Sequence, residues 1–138
     1  MRQYLADLVR YRDTLDQERF RRERDLQYQV LFPLTMAIQC CVDAGNHVVA
    51  EEGLPRPGAA AEVFARLADA GRLPRPLADR LSRAVGARNL FVHRYWQINH
   101  DRVRQMLQHD IDAFAQFEGW LVRLLEPGED AGPPRTEA

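Results

Sequence analysis

A chain of 138 residues is long enough for one domain with one core, and 46% hydrophobic residues is an ordinary globular share that sets global disorder aside. All nineteen basic residues are arginine. This excludes chemistry that needs a lysine nucleophile, Schiff base or P-loop lysine, and leaves the guanidinium as the only strong cation for phosphate. A net charge of −1 argues against a broad basic coat, so any nucleic-acid contact must be local.

No apolar run approaches a membrane span, and no charged-then-apolar leader opens the chain. A cytoplasmic protein without membrane contact is the expectation. Strand signals are almost absent, whereas helical periodicity recurs four or five times. Residues 2–15 read as a short amphipathic helix through Tyr4, Leu5, Leu8, Tyr11 and Leu15. The charge-rich "DQERFRRERDLQ" reads as a solvated face or a helix junction. From Leu26 the spacing of Val30, Leu34, Ile38, Cys41, Gly45 and Val48 is that of a buried stripe, with Pro33 at a kink or near the true start. The adjacent Cys40 and Cys41 point apart on such a helix, so free thiols are expected.

Gly53 and the prolines of "EEGLPRPGAA" stop that helix. Val63, Phe64 and Leu67 mark a third, closed by Gly71, and "LPRP" leads into a fourth with the stripe Leu77, Leu81, Ala84 and Val85. A fifth is predicted from an N-cap at Asp101 through Val103, Leu107, Ile111, Phe114, Phe117, Leu121 and Leu125. The expected fold is all-α, an up-down bundle of four to five helices spanning residues 1–125 as one domain, followed by a flexible polar tail at 126–138.

The fourth helix ends in "ARNLFVHRYW". Its apolar stripe continues to 88, 92 and 95, where Val92 fits but Arg88 and Tyr95 do not suit a plain core. Beside it runs a line of small and polar residues, Ser82, Gly86, Asn89 and His93. A helical glycine costs about 1 kcal/mol against alanine, a cost that close approach of another helix at Gly86 would offset. Histidine with arginine is what RNA cleavage at the 2′-hydroxyl needs: an imidazole to move protons and a guanidinium for charge on the phosphorus oxygens. RNA carries its own nucleophile, so this chemistry calls for no metal or cofactor.

Arg88 and His93 lie about 140° apart on an ideal helix. They share a substrate only if the arginine reaches round, the helix loosens near His93, or a second copy contributes. One histidine per chain also cannot easily serve as acid and base in one step, and a symmetric dimer would supply two. Alternatively, Arg88 pairs with Asp43 as part of a helical scaffold, His93 caps a helix end, and Tyr95 and Trp96 pack. On the second helix Gln39, Asp43, Asn46 and His47 form a polar line that either orients Arg88 or His93 or is a solvated face. His100 and His109 read as surface residues, and no metal site is indicated.

"RNLFVHRYW" resembles the R-x4-H-x-Y motif of the HepT-like toxins of the HEPN superfamily. "CVDAGNHVVAEEGLPRP" is similar to that family's second-helix signature, and "EVFARLADAGRLPRPLADRLSRAVGARNLFVHRYWQIN" to its third and fourth helices, so the likeness covers about residues 18–122. The resemblance implies a homodimer with a composite RNase cleft on the two-fold axis. In it Arg88 and His93 are the catalytic pair and Asn89 helps place the phosphate; Asp43 and Asn46, on the polar line of the second helix, are the supporting residues expected beside them. It further implies the toxin half of a toxin–antitoxin pair acting on RNA, tRNA or mRNA, whose nucleotidyltransferase (MNT) antitoxin modifies Tyr95 with AMP. A non-catalytic HEPN module that binds a nucleotide or a protein is the alternative.

Overall fold

In the computed structural model, residues 1–93 and 98–126 are described. The described residues are helical: α1 (Arg2–Thr14), α2 (Gln17–Arg22), α3 (Arg24–Glu51), α4 (Glu62–Asp69), α5 (Arg75–His93), α6 (His100–Gln105) and α7 (Ile111–Leu125). A π-helical stretch, Met106–Asp110, joins α6 to α7 without a break. With α6, the π-helical stretch and α7 counted as one, the described residues hold six helices, against the four to five expected. The charged "DQERFRRERDLQ" is a junction that includes a short helix of its own. Asp16 caps α2 by accepting from the Glu18 and Arg19 amides, and Phe20 is fully buried.

α3 is the central rod and packs against α1, α2, α4, α5 and α7. All six residues of its predicted stripe are buried. Pro33 lies inside it rather than at its start, which is Arg24. The helix stops at Gly53 as expected: φ is +65°, the Leu54 amide donates to the Val49 carbonyl and the Gly53 amide to the Ala50 carbonyl. Gly71, with φ +74°, closes α4 by the same pair of bonds one helix later.

One hydrophobic core runs from Leu5 and Leu8 of α1 to Phe114 and Phe117 of α7, with Phe64 and Phe117 edge to face at 5.6 Å. Cys40 and Cys41 are free, and burial pushes the Cys41 thiol far above its usual range. The glycine that lets two helices touch is Gly45, where a Cβ would meet Val63 Cγ1 at 2.6 Å. Gly86 is exposed and a Cβ there meets nothing within 4 Å, so the close approach expected at that residue is not made among the described residues.

Two boundaries differ from expectation. Asn99, not Asp101, caps α6, accepting from the Asp101 and Arg102 amides at 2.9 and 3.2 Å; Asp101 falls in the first turn. The Val103-to-Phe117 stripe is buried, but Leu121 is only half-buried and Leu125 is exposed. The π-helical stretch is braced from α5 by Arg80, whose guanidinium donates to the His109 carbonyl and lies 3.5 Å from Asp112. Residues 127–138 of the expected tail lie outside the described residues. Among the described residues, no helix is long and apolar enough to cross a membrane.

Candidate active site

α5 enters after Pro74 and lays Leu77, Ala78, Leu81, Ala84, Val85, Ala87 and Phe91 into the core. The seam thus leaves through Phe91, whereas Val92, expected to be buried, is 53% exposed. This rotation carries Arg88 toward α3. Its guanidinium donates through Nη1 to Gln39 Oε1 and through Nη2 to Asn89 Oδ1, the latter at 2.8 Å. Gln39 Nε2 in turn donates to Asp43 Oδ1 at 2.8 Å. An arginine only donates and a carboxylate only accepts, so the amide of Gln39 has one orientation that satisfies both neighbours.

The outcome is a relay, Asp43–Gln39–Arg88–Asn89, in place of the Arg88–Asp43 pair of the scaffold reading. Arg88 is half-buried and makes no ion pair among the described residues. Its Nε is buried and has no hydrogen-bond partner among the described residues. Two neutral acceptors thus aim the guanidinium and leave its charge uncompensated, as an anion-binding group requires. Gln39 is the residue that sequence reasoning missed. It stood in the polar line of α3, but nothing local showed that it, rather than Asp43, reaches α5.

His93 is the last residue of α5 and is exposed, as is Asn89. The helix stays α-helical through His93, so loosening of the backbone before it is not the route that unites the pair. Ser82, on the same line of the helix, is engaged elsewhere: its hydroxyl donates to the Ala61 carbonyl at 2.9 Å. Tyr95 lies outside the described residues. Asn46 is exposed and lines a cavity of about 660 Å³ with Val49, Leu54 and Arg56, two turns along α3 from Gln39; no hydrogen bond ties it to Arg88 among the described residues. His100, expected at the surface, is half-buried edge to face on Phe20 at 5.3 Å. Among the described residues no three His, Cys, Asp or Glu side chains gather as a metal site.

A model of the family described as "Ribonuclease HepT-like" matches residues 1–118, which takes in α1 as well as the region singled out by resemblance. The mRNA nuclease HepT of Shewanella oneidensis is 33% identical over 102 residues, 74% of this chain and 77% of that one. Among solved structures, the tri-AMPylated HEPN toxin of Shewanella oneidensis in complex with an MNT antitoxin superimposes with a TM-score of 0.75 at 28% identity. That match covers 88% of this chain and 95% of the toxin. YutE of Bacillus subtilis, a cytosolic protein of unknown function, shares the fold with a TM-score of 0.76 at 17% identity, over 94% of this chain and 87% of its own. The chain belongs to the HepT-like ribonuclease family of HEPN proteins.

Proposed function

We propose that this chain is a metal-independent endoribonuclease, the toxin of a HEPN/MNT toxin–antitoxin pair, with Arg88, Asn89 and His93 as its catalytic residues. The observation that carries the reading is the guanidinium of Arg88, aimed by Gln39 and Asn89 and neutralised by neither. The 2′-hydroxyl attacks the adjacent phosphorus as an imidazole takes its proton. The O2′–P bond forms, the P–O5′ bond breaks, and an imidazolium returns a proton to the leaving 5′-oxygen. Arg88 holds the charge that builds on the non-bridging oxygens, and Asn89 steadies the phosphate. The products are a 2′,3′-cyclic phosphate and a 5′-hydroxyl.

A homodimer supplies the second histidine. What supports it is the outer face of α5, where Gly86 offers no side chain, Leu90 one turn on is 53% exposed, and Asn89 and His93 are exposed on the same strip. A bare glycine on an exposed helix face lets a second helix approach closely. AMP on Tyr95, transferred by a nucleotidyltransferase antitoxin, would set anionic phosphate and a base beside the motif and repel RNA. The AMPylated state of the Shewanella oneidensis toxin supports this reading.

Chain purified without a partner, its unmodified state established by intact mass, is incubated with tRNA and mRNA in EDTA. Wild type leaves cyclic phosphate ends, His93→Ala loses roughly 10²–10⁴-fold in rate, and Arg88→Ala loses roughly 10²–10³-fold. Full cleavage by folded His93→Ala would sink the mechanism. Tyr95→Phe should stay active in the presence of the antitoxin and ATP, where wild type is silenced.

A further inference from the structure

The polar line of α3 does not end at Gln39. Tyr28, Phe32, Thr35, Gln39, Asp43 and Asn46 follow one another at helical spacing of three and four, so the residue that aims Arg88 shares its face with two aromatic rings. Both rings are open: Phe32 is 61% exposed and Tyr28 47%. They wall a cavity of about 630 Å³ between α3, the end of α5 and the start of α6, with Arg24, Thr35, Phe91 and His100 among its other lining residues. That volume is the size of a small-ligand site, about 300–1,000 Å³.

Resting on the ribonuclease reading, we infer that this groove is a base-binding subsite for single-stranded RNA next to the scissile phosphate. It shares both walls with the candidate catalytic cluster. Thr35 sits one turn before Gln39 on α3, and Phe91 one turn beyond Arg88 on α5. Phe32 and Gln39 are about 10 Å apart along the helix axis, so a strand whose phosphate meets Arg88 brings a neighbouring base to the rings. Every base has a π-face, and open aromatic rings beside a guanidinium are the usual means of holding unpaired nucleotides. Arg24 supplies that charge. Arg19 and Arg21 nearby are engaged by Glu23 and Asp101, whereas Arg24 makes no ion pair among the described residues.

A second copy of the chain is the competing occupant, and the groove suits it less well than the outer face of α5. The groove is concave and mixes aromatic rings with Arg24, Thr35 and His100. The α5 face carries the bare Gly86 beside an exposed Leu90, which lets a second helix approach closely.

The probe is a 2′-O-methyl RNA hexamer, which lacks the nucleophile, carrying 2-aminopurine at successive positions and titrated into the full chain. Stacking quenches the probe at one register. Tyr28→Ala and Phe32→Ala each weaken binding roughly tenfold and abolish the quench, and Phe32→Trp restores both. Arg24→Ala lowers the slope of log affinity against log salt by about one. Thermal unfolding and native mass accompany each variant. If wild type binds and both alanine variants bind and quench equally well, the subsite is refuted while the ribonuclease reading stands. If the alanine variants convert a dimer to monomers, the groove seats a second copy and the inference is overturned. Wild type that neither binds nor cuts RNA removes the ribonuclease reading itself, and the subsite with it.

Discussion

The relay through Gln39 invites a direct test, because two substitutions at that residue disturb Arg88 in different ways. Gln39→Leu keeps the bulk and removes the acceptor of the Nη1 bond, leaving Asn89 as the only partner of the guanidinium among the described residues. A hydrogen bond to a charged group is worth about 1.5–3 kcal/mol. If that energy alone holds the reactive orientation, the competent fraction falls by roughly 10- to 150-fold. Arg88 is only half-buried, so water replaces part of the loss, and kcat/KM should drop about tenfold. Gln39→Glu keeps an acceptor in place but sets a carboxylate on the guanidinium and a second one beside Asp43. The arginine stays aimed while its charge is compensated, so kcat should fall further than in the leucine variant. Steady-state cleavage of a fluorogenic RNA in EDTA separates kcat from KM for both. If both variants, folded and of wild-type native mass, cut at the wild-type rate, Gln39 does not position Arg88 and the argument from the relay fails.

Two further predictions concern the scaffold. Gly45→Ala drives a Cβ against the fully buried Val63, so overpacking of about 1–3 kcal/mol outweighs the roughly 1 kcal/mol gained in helix propensity. Its Tm should fall by a few degrees. Gly86→Ala meets open space, and at concentrations where the chain is monomeric its Tm should rise by about 2–4 °C; a rise at both positions would contradict the α3–α4 contact. Asp110 titrates above the ordinary carboxylate range because burial outweighs the attraction of Arg102, Arg80 and Arg83. The folded state then holds that proton more tightly than the unfolded chain, so the ionised carboxylate disfavours folding at neutral pH and the cost is relieved as the pH falls through the raised value. Asp110→Asn should lift Tm slightly at neutral pH, with the gain shrinking in acid. A gain that grows in acid would reverse the sign of the argument.

What the sequence disclosed and what it withheld follow one physical division. Stripes and stops are local: the run from Val30 to Val48 is buried because its spacing alone defines a face, and Gly53 and Gly71 end helices because the left-handed turn favours glycine. The arginine, asparagine and histidine of α5 proposed as catalytic are local in the same way, since the proposal rests on residue type and spacing within one helix. The errors arose where a neighbour decides. Val92 and Phe91 are both compatible with a helical stripe, and the packing of α5 against α3 and α7 buries the second. Gly45 and Gly86 are alike in sequence, but among the described residues of one chain Gly45 meets another helix and Gly86 does not. Asn99 and Asp101 are both competent caps, and the one that takes the extended backbone, Asn99 with ψ of 109°, wins. Asp43 and Gln39 are one turn apart on one face, and the position of α5 beside α3 gives Arg88 to the amide. That last choice changes the chemistry. A carboxylate at the guanidinium would have spent its charge within the protein, whereas an amide holds the same geometry and leaves the charge for the phosphate of the proposed reaction.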